Sequence, residues 1–122
     1  MINILAIDDS LTMREMVCEV LSSAGFSVTT ANDGVHGVDV FQQDQYDAVI
    51  TDINMPKMDG FGVIESIRGG GVNARVPILV LTTESGPALK ERARNAGATG
   101  WIVKPFEDEG LISVIRRVTG VR

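Results

Sequence analysis

One cysteine (Cys18), one histidine (His36) and an aromatic content of 5% are what this 122-residue chain is shortest of. A lone cysteine cannot close an internal disulfide or build a cysteine-rich metal centre, and it fits a reducing, cytoplasmic setting. A lone histidine has no partner for a histidine metal site and reads as a surface residue of the second helix. No apolar run approaches the roughly 20 residues that a membrane-spanning helix needs, and the opening MINILAIDDS lacks a cleavable signal layout. The pattern G-x-x-x-x-G-K-[ST] is absent, and Gly69-Gly70-Gly71 follows a helical segment instead of opening one, so a phosphate cradle for nucleotides has no support. A net charge of −5 argues against a general nucleic-acid binder.

What is present is a core. Apolar residues make up 44% of the chain, and its length is that of a single domain spanning 1–122. The charge is unevenly spread: residues 1–61 hold ten acids against two bases, and residues 62–122 hold six acids against nine bases. A crevice lined from both halves would bring carboxylates and a cation around a metal ion and an anionic group together.

Five short runs rich in Val and Ile recur at 2–7, 26–30, 48–51, 76–82 and 101–103. Segments of helical period separate them. Met13, Met16, Val17, Val20, Leu21 and Ala24 share one face of a first helix, with Ser10 as its N-cap and Gly25 as its stop. The segment 34–43 places Val35, Val38 and Phe41 on one face, although Gly34 and Gly37 weaken it as a helix. Phe61, Ile64 and Ile67 mark a third helix over 60–68, and Pro87 opens a fourth over 88–96 that Gly97 stops. The last helix carries Leu111, Ile112, Ile115 and Val118, with Glu107, Asp108 and Glu109 at its start and Arg116 and Arg117 in its final turn. That distribution matches the helix dipole at both ends. Five strand-then-helix units predict an α/β fold with a five-stranded parallel sheet and helices on both faces. Cys18 lies beside the apolar stripe of the first helix and reads as a packing residue.

In open α/β sheets ligands sit beyond the carboxyl ends of the strands. Those ends carry Asp8 and Asp9, Asp52, Thr82 with Thr83, and Lys104. Three acids brought together repel one another unless a cation joins them, and a hard divalent ion such as Mg²⁺ suits carboxylate oxygens. Lys104 is a mobile point charge able to reach a phosphoryl oxygen, and the bond to Pro105 is a candidate for the cis form. Each residue also has a plainer role open to it: helix capping for Asp8 and Asp9, a turn for Asp52, strand packing for Thr82, a solvated loop for Lys104. The coincidence at four strand ends is the argument.

The segments AIDDS, TDINMPKMDG, VLTTES and GWIVKPF resemble the response-regulator receiver domain, and most of all its single-domain chemotaxis regulators of the CheY type. The resemblance runs from Asn3 to about Val118. It implies a flavodoxin-like three-layer sandwich with strand order 2-1-3-4-5. It implies that Asp52 accepts a phosphoryl group from the phosphohistidine of a sensor histidine kinase, here of the chemotaxis type. Asp8, Asp9, Asp52 and the backbone carbonyl of Asn54 would hold Mg²⁺, Lys104 would contact the phosphoryl oxygens, and Thr82 would move toward them. Trp101 stands where the family has an aromatic switch residue, usually Tyr or Phe, and its lack of a hydroxyl puts any coupling through that oxygen in question. Asn54 and Glu84, two places beyond Asp52 and Thr82, border the path of a hydrolytic water and resemble receivers with a short phosphorylated lifetime.

The chain closes as the fifth helix finishes, so output is expected to be a change of shape. The expected partner face is formed by the fourth helix, fifth strand and fifth helix, with Lys90, Arg92, Arg94, Trp101, Arg116 and Arg117 offered to an acidic segment such as that of a flagellar motor switch protein. A cytoplasmic monomer is expected, with no direct contact to nucleic acid or membrane. Three rivals stand beside this reading. A small Mg²⁺-dependent phosphohydrolase would need an acid two places after the nucleophile, where Asn54 stands. A flavodoxin-like electron carrier would need a phosphate loop where Asp8-Asp9-Ser10 lies. The third is the receiver portion of a longer transcriptional regulator.

Overall fold

Strands buried on both faces read as continuous apolar runs, and that is how the sheet is built. The computed structural model describes residues 1–120. In chain order the elements are β1 (Asn3–Ile7), α1 (Leu11–Ser23), β2 (Ser27–Ala31), α2 (Gly34–Gln43), β3 (Ala48–Thr51), α3 (Gly60–Gly69), β4 (Ile78–Thr82), α4 (Pro87–Ala96), β5 (Gly100–Val103) and α5 (Asp108–Thr119). The strands pair in parallel in the order β2-β1-β3-β4-β5. All five helices expected from the spacing are present. The fourth strand starts later than the run at 76–82, because Pro77 has no N–H to give a ladder.

Alternate residues of each strand feed two cores. Leu5, Ile7, Val49, Ile78 and Val80 pack with Phe41 of α2, with Phe61, Ile64 and Ile67 of α3 and with Ala93 of α4. Ile4, Ala6, Ile50, Leu79 and Leu81 pack with Val17 and Leu21 of α1 and with Leu111 and Ile115 of α5. Helices α2, α3 and α4 therefore cover one face, and α1 and α5 the other.

Local chemistry sets the helix ends. Ser10 caps α1 by accepting the Met13 N–H at 3.2 Å, and Gly25 follows the last turn at φ +95°. Asp33 caps α2 through the His36 N–H at 2.8 Å, and Asp59 caps α3 through the Gly62 N–H at 2.9 Å. The weak propensity of α2 has a packing reason. A Cβ at Gly34 would strike the carbonyl of Met58, and one at Gly37 would press on Ile7, so these glycines let α2 lie close to its neighbours. Arg68 ties the far edge together: Nη1 donates to the carbonyls of Ala74 and Val76 at 2.7 and 2.6 Å, and Nε and Nη2 donate to Gly97 at 3.0 and 2.8 Å. Burial lowers the pKa of this guanidinium.

Gly60 is where packing meets chemistry, since a Cβ there would collide with the carbonyl of Asp52 and lie 2.9 Å from the Cα of Ile53. Gly60→Ala is expected to lose about 1–3 kcal/mol in urea unfolding, because backbone on both sides has to shift. Gly69→Ala, which meets nothing within 4 Å, is expected to be neutral or slightly stabilising in the same measurement.

Candidate phosphoryl-acceptor site

Three strand ends converge on one ammonium. The Lys104 Nζ donates to Asp8 Oδ2 at 2.7 Å and to Asp52 Oδ2 at 2.9 Å. These are inward groups: the Lys104, Asp8 and Asp52 side chains are only 9%, 8% and 12% exposed. The β-ladder brings them here, since the Lys104 N–H also donates to the Thr82 carbonyl at 2.7 Å and the Asp52 N–H to the Ile7 carbonyl at 3.0 Å. The Lys104–Pro105 peptide bond is cis.

The remaining bonds hold the carboxylates still. Asp8 Oδ1 accepts the Ser10 N–H at 2.9 Å, and Asp52 Oδ1 accepts the Ile53 N–H at 2.6 Å. Asp9 is exposed, yet oxygens of Asp8, Asp9 and Asp52 all lie within 4.8 Å of one another. Three acids against one lysine leave the cluster negative, and every donor is a carboxylate oxygen. That donor set fits a hard divalent cation. Burial pulls the Lys104 pKa down, but the hydrogen bonds it donates to Asp8 and Asp52, and then their charges, outweigh it and raise the pKa above the ordinary lysine value.

Beyond the strand ends a second set of bonds joins the loops through Glu84. Its N–H donates to the Oγ1 of fully buried Thr82 at 3.4 Å, a long bond. Its Oε1 accepts from Asn54 Nδ2 at 3.2 Å, and its carbonyl accepts from Trp101 Nε1 at 2.9 Å. The indole N–H thus supplies a polar handle where the sequence shows no hydroxyl. Sequence reasoning did not pair Asn54 with Glu84 directly. The signal was available: β3 and β4 are adjacent, and both residues stand two places past the residues that close these strands' functional ends.

The basic residues divide. Lys90 and Arg94 line a hollow of about 220 Å³ with Ala93, Ala98, Thr99 and Trp101. Arg92 lies elsewhere, with its guanidinium carbon 3.9 Å from the centre of the Phe61 ring, engaged with α3. Arg116 and Arg117 are exposed in the last turn of α5. His36 is exposed, with Nδ1 3.1 Å from Asn32 Oδ1.

Residues 4–116 match the family model of the response regulator receiver domain. A probable chemotaxis protein CheY of Rhizobium etli is 34% identical over 120 residues, which are 98% of this chain and 93% of that protein. The response regulator MprA of Mycobacterium leprae is 39% identical over 113 residues, and this chain spans only 49% of it. Among solved structures, the chemotaxis response regulator CheY4 of Vibrio cholerae is similar at a TM-score of 0.91 and 42% identity, covering 97% of this chain and 98% of that one. The receiver domain of the sensor histidine kinase PA1611 of Pseudomonas aeruginosa, solved with a magnesium ion coordinated in its active-site cleft, is similar at a TM-score of 0.89 and 30% identity, covering 97% of each chain.

The raised Lys104 pKa means that the folded state holds this proton more tightly than the unfolded chain does. Its contribution is full below the ordinary lysine pKa of about 10.4 and is lost as pH climbs through the raised one. Lys104→Met is therefore expected to cost about 3 kcal/mol near neutrality without divalent ions, by stranding Asp8 and Asp52. The gap to wild type should hold below the ordinary lysine pKa and narrow only as urea unfolding is repeated at higher pH.

Proposed function

We propose that this chain, which belongs to the response regulator receiver domain family, takes a phosphoryl group onto Asp52 from the phosphohistidine of a sensor kinase and relays it through a docking face around Trp101. It is a signalling domain of two-component systems, not a classical enzyme. The observation that carries the reading is the Lys104 bridge between Asp8 and Asp52, with Asp9 close by.

A carboxylate is a weak nucleophile, so the barrier has to fall by positioning and by charge neutralisation. Asp52 supplies the attacking oxygen: its bond to phosphorus forms as the phosphorus–nitrogen bond of the donor breaks and the imidazole leaves. Lys104, already on the Asp52 carboxylate, is placed to stay with the arriving phosphoryl oxygens. Asp8, Asp9, Asp52 and the backbone carbonyl of Asn54 would hold Mg²⁺, which when bound supplies further positive charge to the transferring group.

The aspartyl phosphate adds about −1.5 to −2 charges at pH 7. Thr82 is the nearby hydroxyl to be drawn toward it, and its long bond from the Glu84 N–H is the one that gives way. Glu84 carries Trp101 on its carbonyl, so a shift of the loop reaches the hollow lined by Lys90 and Arg94. That hollow, with Arg116 and Arg117, is the face we assign to an acidic partner segment; Arg92 serves α3 instead. Near full-length similarity to the CheY proteins of Rhizobium etli and Vibrio cholerae favours a chemotaxis kinase as donor and a flagellar motor switch protein as target. Asn54 at the second place after Asp52 offers no acid for a phosphohydrolase.

Incubation with acetyl phosphate and Mg²⁺ is expected to add the mass of one phosphoryl group to the wild-type chain and nothing to Asp52→Ala. Equal labelling of both proteins would overturn the assignment. With Asn54 and Glu84 leaving a polar approach for water, the adduct is expected to decay well within hours when followed by intact mass. A half-life of many hours with Mg²⁺ present would remove these two residues from the tuning role.

A further inference from the structure

Asp9 is the one acid of the cluster with no hydrogen bond to its carboxylate among the described residues, and it is exposed. Its direction therefore depends on the two peptide planes that flank it. The plane after it is fixed, because the Ser10 N–H donates to Asp8 Oδ1 at 2.9 Å. The plane before it is fixed by Arg14: Nη1 of this arginine donates to the Asp8 carbonyl at 2.7 Å. The Asp8 N–H in turn donates to the Ala31 carbonyl at 3.1 Å, so the residue that Arg14 grips is itself anchored to the sheet.

Arg14 breaks a local rule. It stands in the second turn of α1 near its positive end, where a cation is disfavoured. It does not compensate by pairing with a carboxylate, for among the described residues it makes no ion pair, although three acids lie at the adjoining loop. It spends its charge-assisted bond on a backbone carbonyl, which is what orienting a loop requires.

We propose that Arg14 is the positioning residue of the metal site: by gripping the Asp8–Asp9 peptide it aims the Asp9 carboxylate at the cation. The inference rests on the reading of the acid cluster as a Mg²⁺ site. Groups that orient metal ligands typically change affinity by about 10–100-fold when removed. Charge alone works in the opposite sense, because deleting a cation beside three acids would tighten a dication.

The test is Mg²⁺ binding by isothermal titration calorimetry on the phosphate-free protein, with urea unfolding in metal-free buffer as the check on folding. Arg14→Met keeps the apolar stem and removes the donor, and it is expected to weaken Mg²⁺ by about 10-fold or more. Arg14→Lys retains a charged donor of similar reach and is expected to restore most of that loss. Binding by Arg14→Met as tight as wild type, or tighter, overturns the proposal. So does a loss that Arg14→Lys fails to recover while metal-free stability stays unchanged. Should Arg14→Met not fold, the proposal stands or falls on Arg14→Lys against Asp9→Asn: Lys close to wild type supports it, and Lys as weak as Asn overturns it. A wild-type chain that takes up no Mg²⁺ defeats the underlying reading of the cluster, an outcome distinct from all of these.

Discussion

Carboxylates gathered at a sheet edge repel each other by about 1 kcal/mol per pair near 4 Å in water, and by about 4 kcal/mol where the effective dielectric falls to about 20. The Lys104 ammonium, 2.7 Å from Asp8 and 2.9 Å from Asp52, is what lets these two stand close while largely hidden from solvent. The two contacts span 96 and 52 residues of sequence. The site is therefore not a property of any one loop. It exists only when β5, at the sheet's far edge, has docked on β4 and delivered the residue that follows it, Lys104, to the two acids. A lysine left alone there would be an ordinary solvated side chain; between two acids it is a structural counter-ion and, on our reading, a partner for the transferring group.

The same edge supports a second layer of bonds, and Glu84 is its junction. One residue gives its N–H to Thr82, its carboxylate to Asn54 and its carbonyl to Trp101. The longest of the three, at 3.4 Å, is the one to the Thr82 hydroxyl. On the reading proposed above, a pull on Thr82 would act first on that bond, and the bonds to Asn54 and Trp101 would carry the displacement outward. A tryptophan suits this post, because its N–H anchors one end of a large apolar ring.

Much of this was legible in the residues themselves. The apolar runs located every strand, and the ends of those runs named Asp8, Asp9, Asp52, Thr82 and Lys104. Parallel strands with helical crossovers leave only one edge on which such residues can meet. What spacing could not supply was side-chain direction. Gly34 and Gly37 argue against a helix by propensity, and only the approach of Met58 and Ile7 explains why they stand in one. Arg92 shares a helix with Lys90 and Arg94, but its offset of two positions from each, about 200° of rotation, turns it from the Trp101 side to the Phe61 ring. Arg14 carried no signal beyond its awkward place near a helix start.

The uneven charge of the two halves shows how far composition reaches. An acid-rich first half and a base-rich second half do meet at the site, but through a single residue, Lys104. Arg68 instead satisfies the carbonyls of Ala74, Val76 and Gly97, and Arg92 covers Phe61. Both of these arginines fasten α4, the first at its C-terminal end and the second along its middle. Toward its N-terminal end Gly86 offers no side-chain cap, and the packing there comes from half-buried Leu89. That end adjoins the loop carrying Glu84. The basic half of the chain thus divides its labour: one cation completes the acid cluster, and two more pin the helix that follows the Glu84 loop.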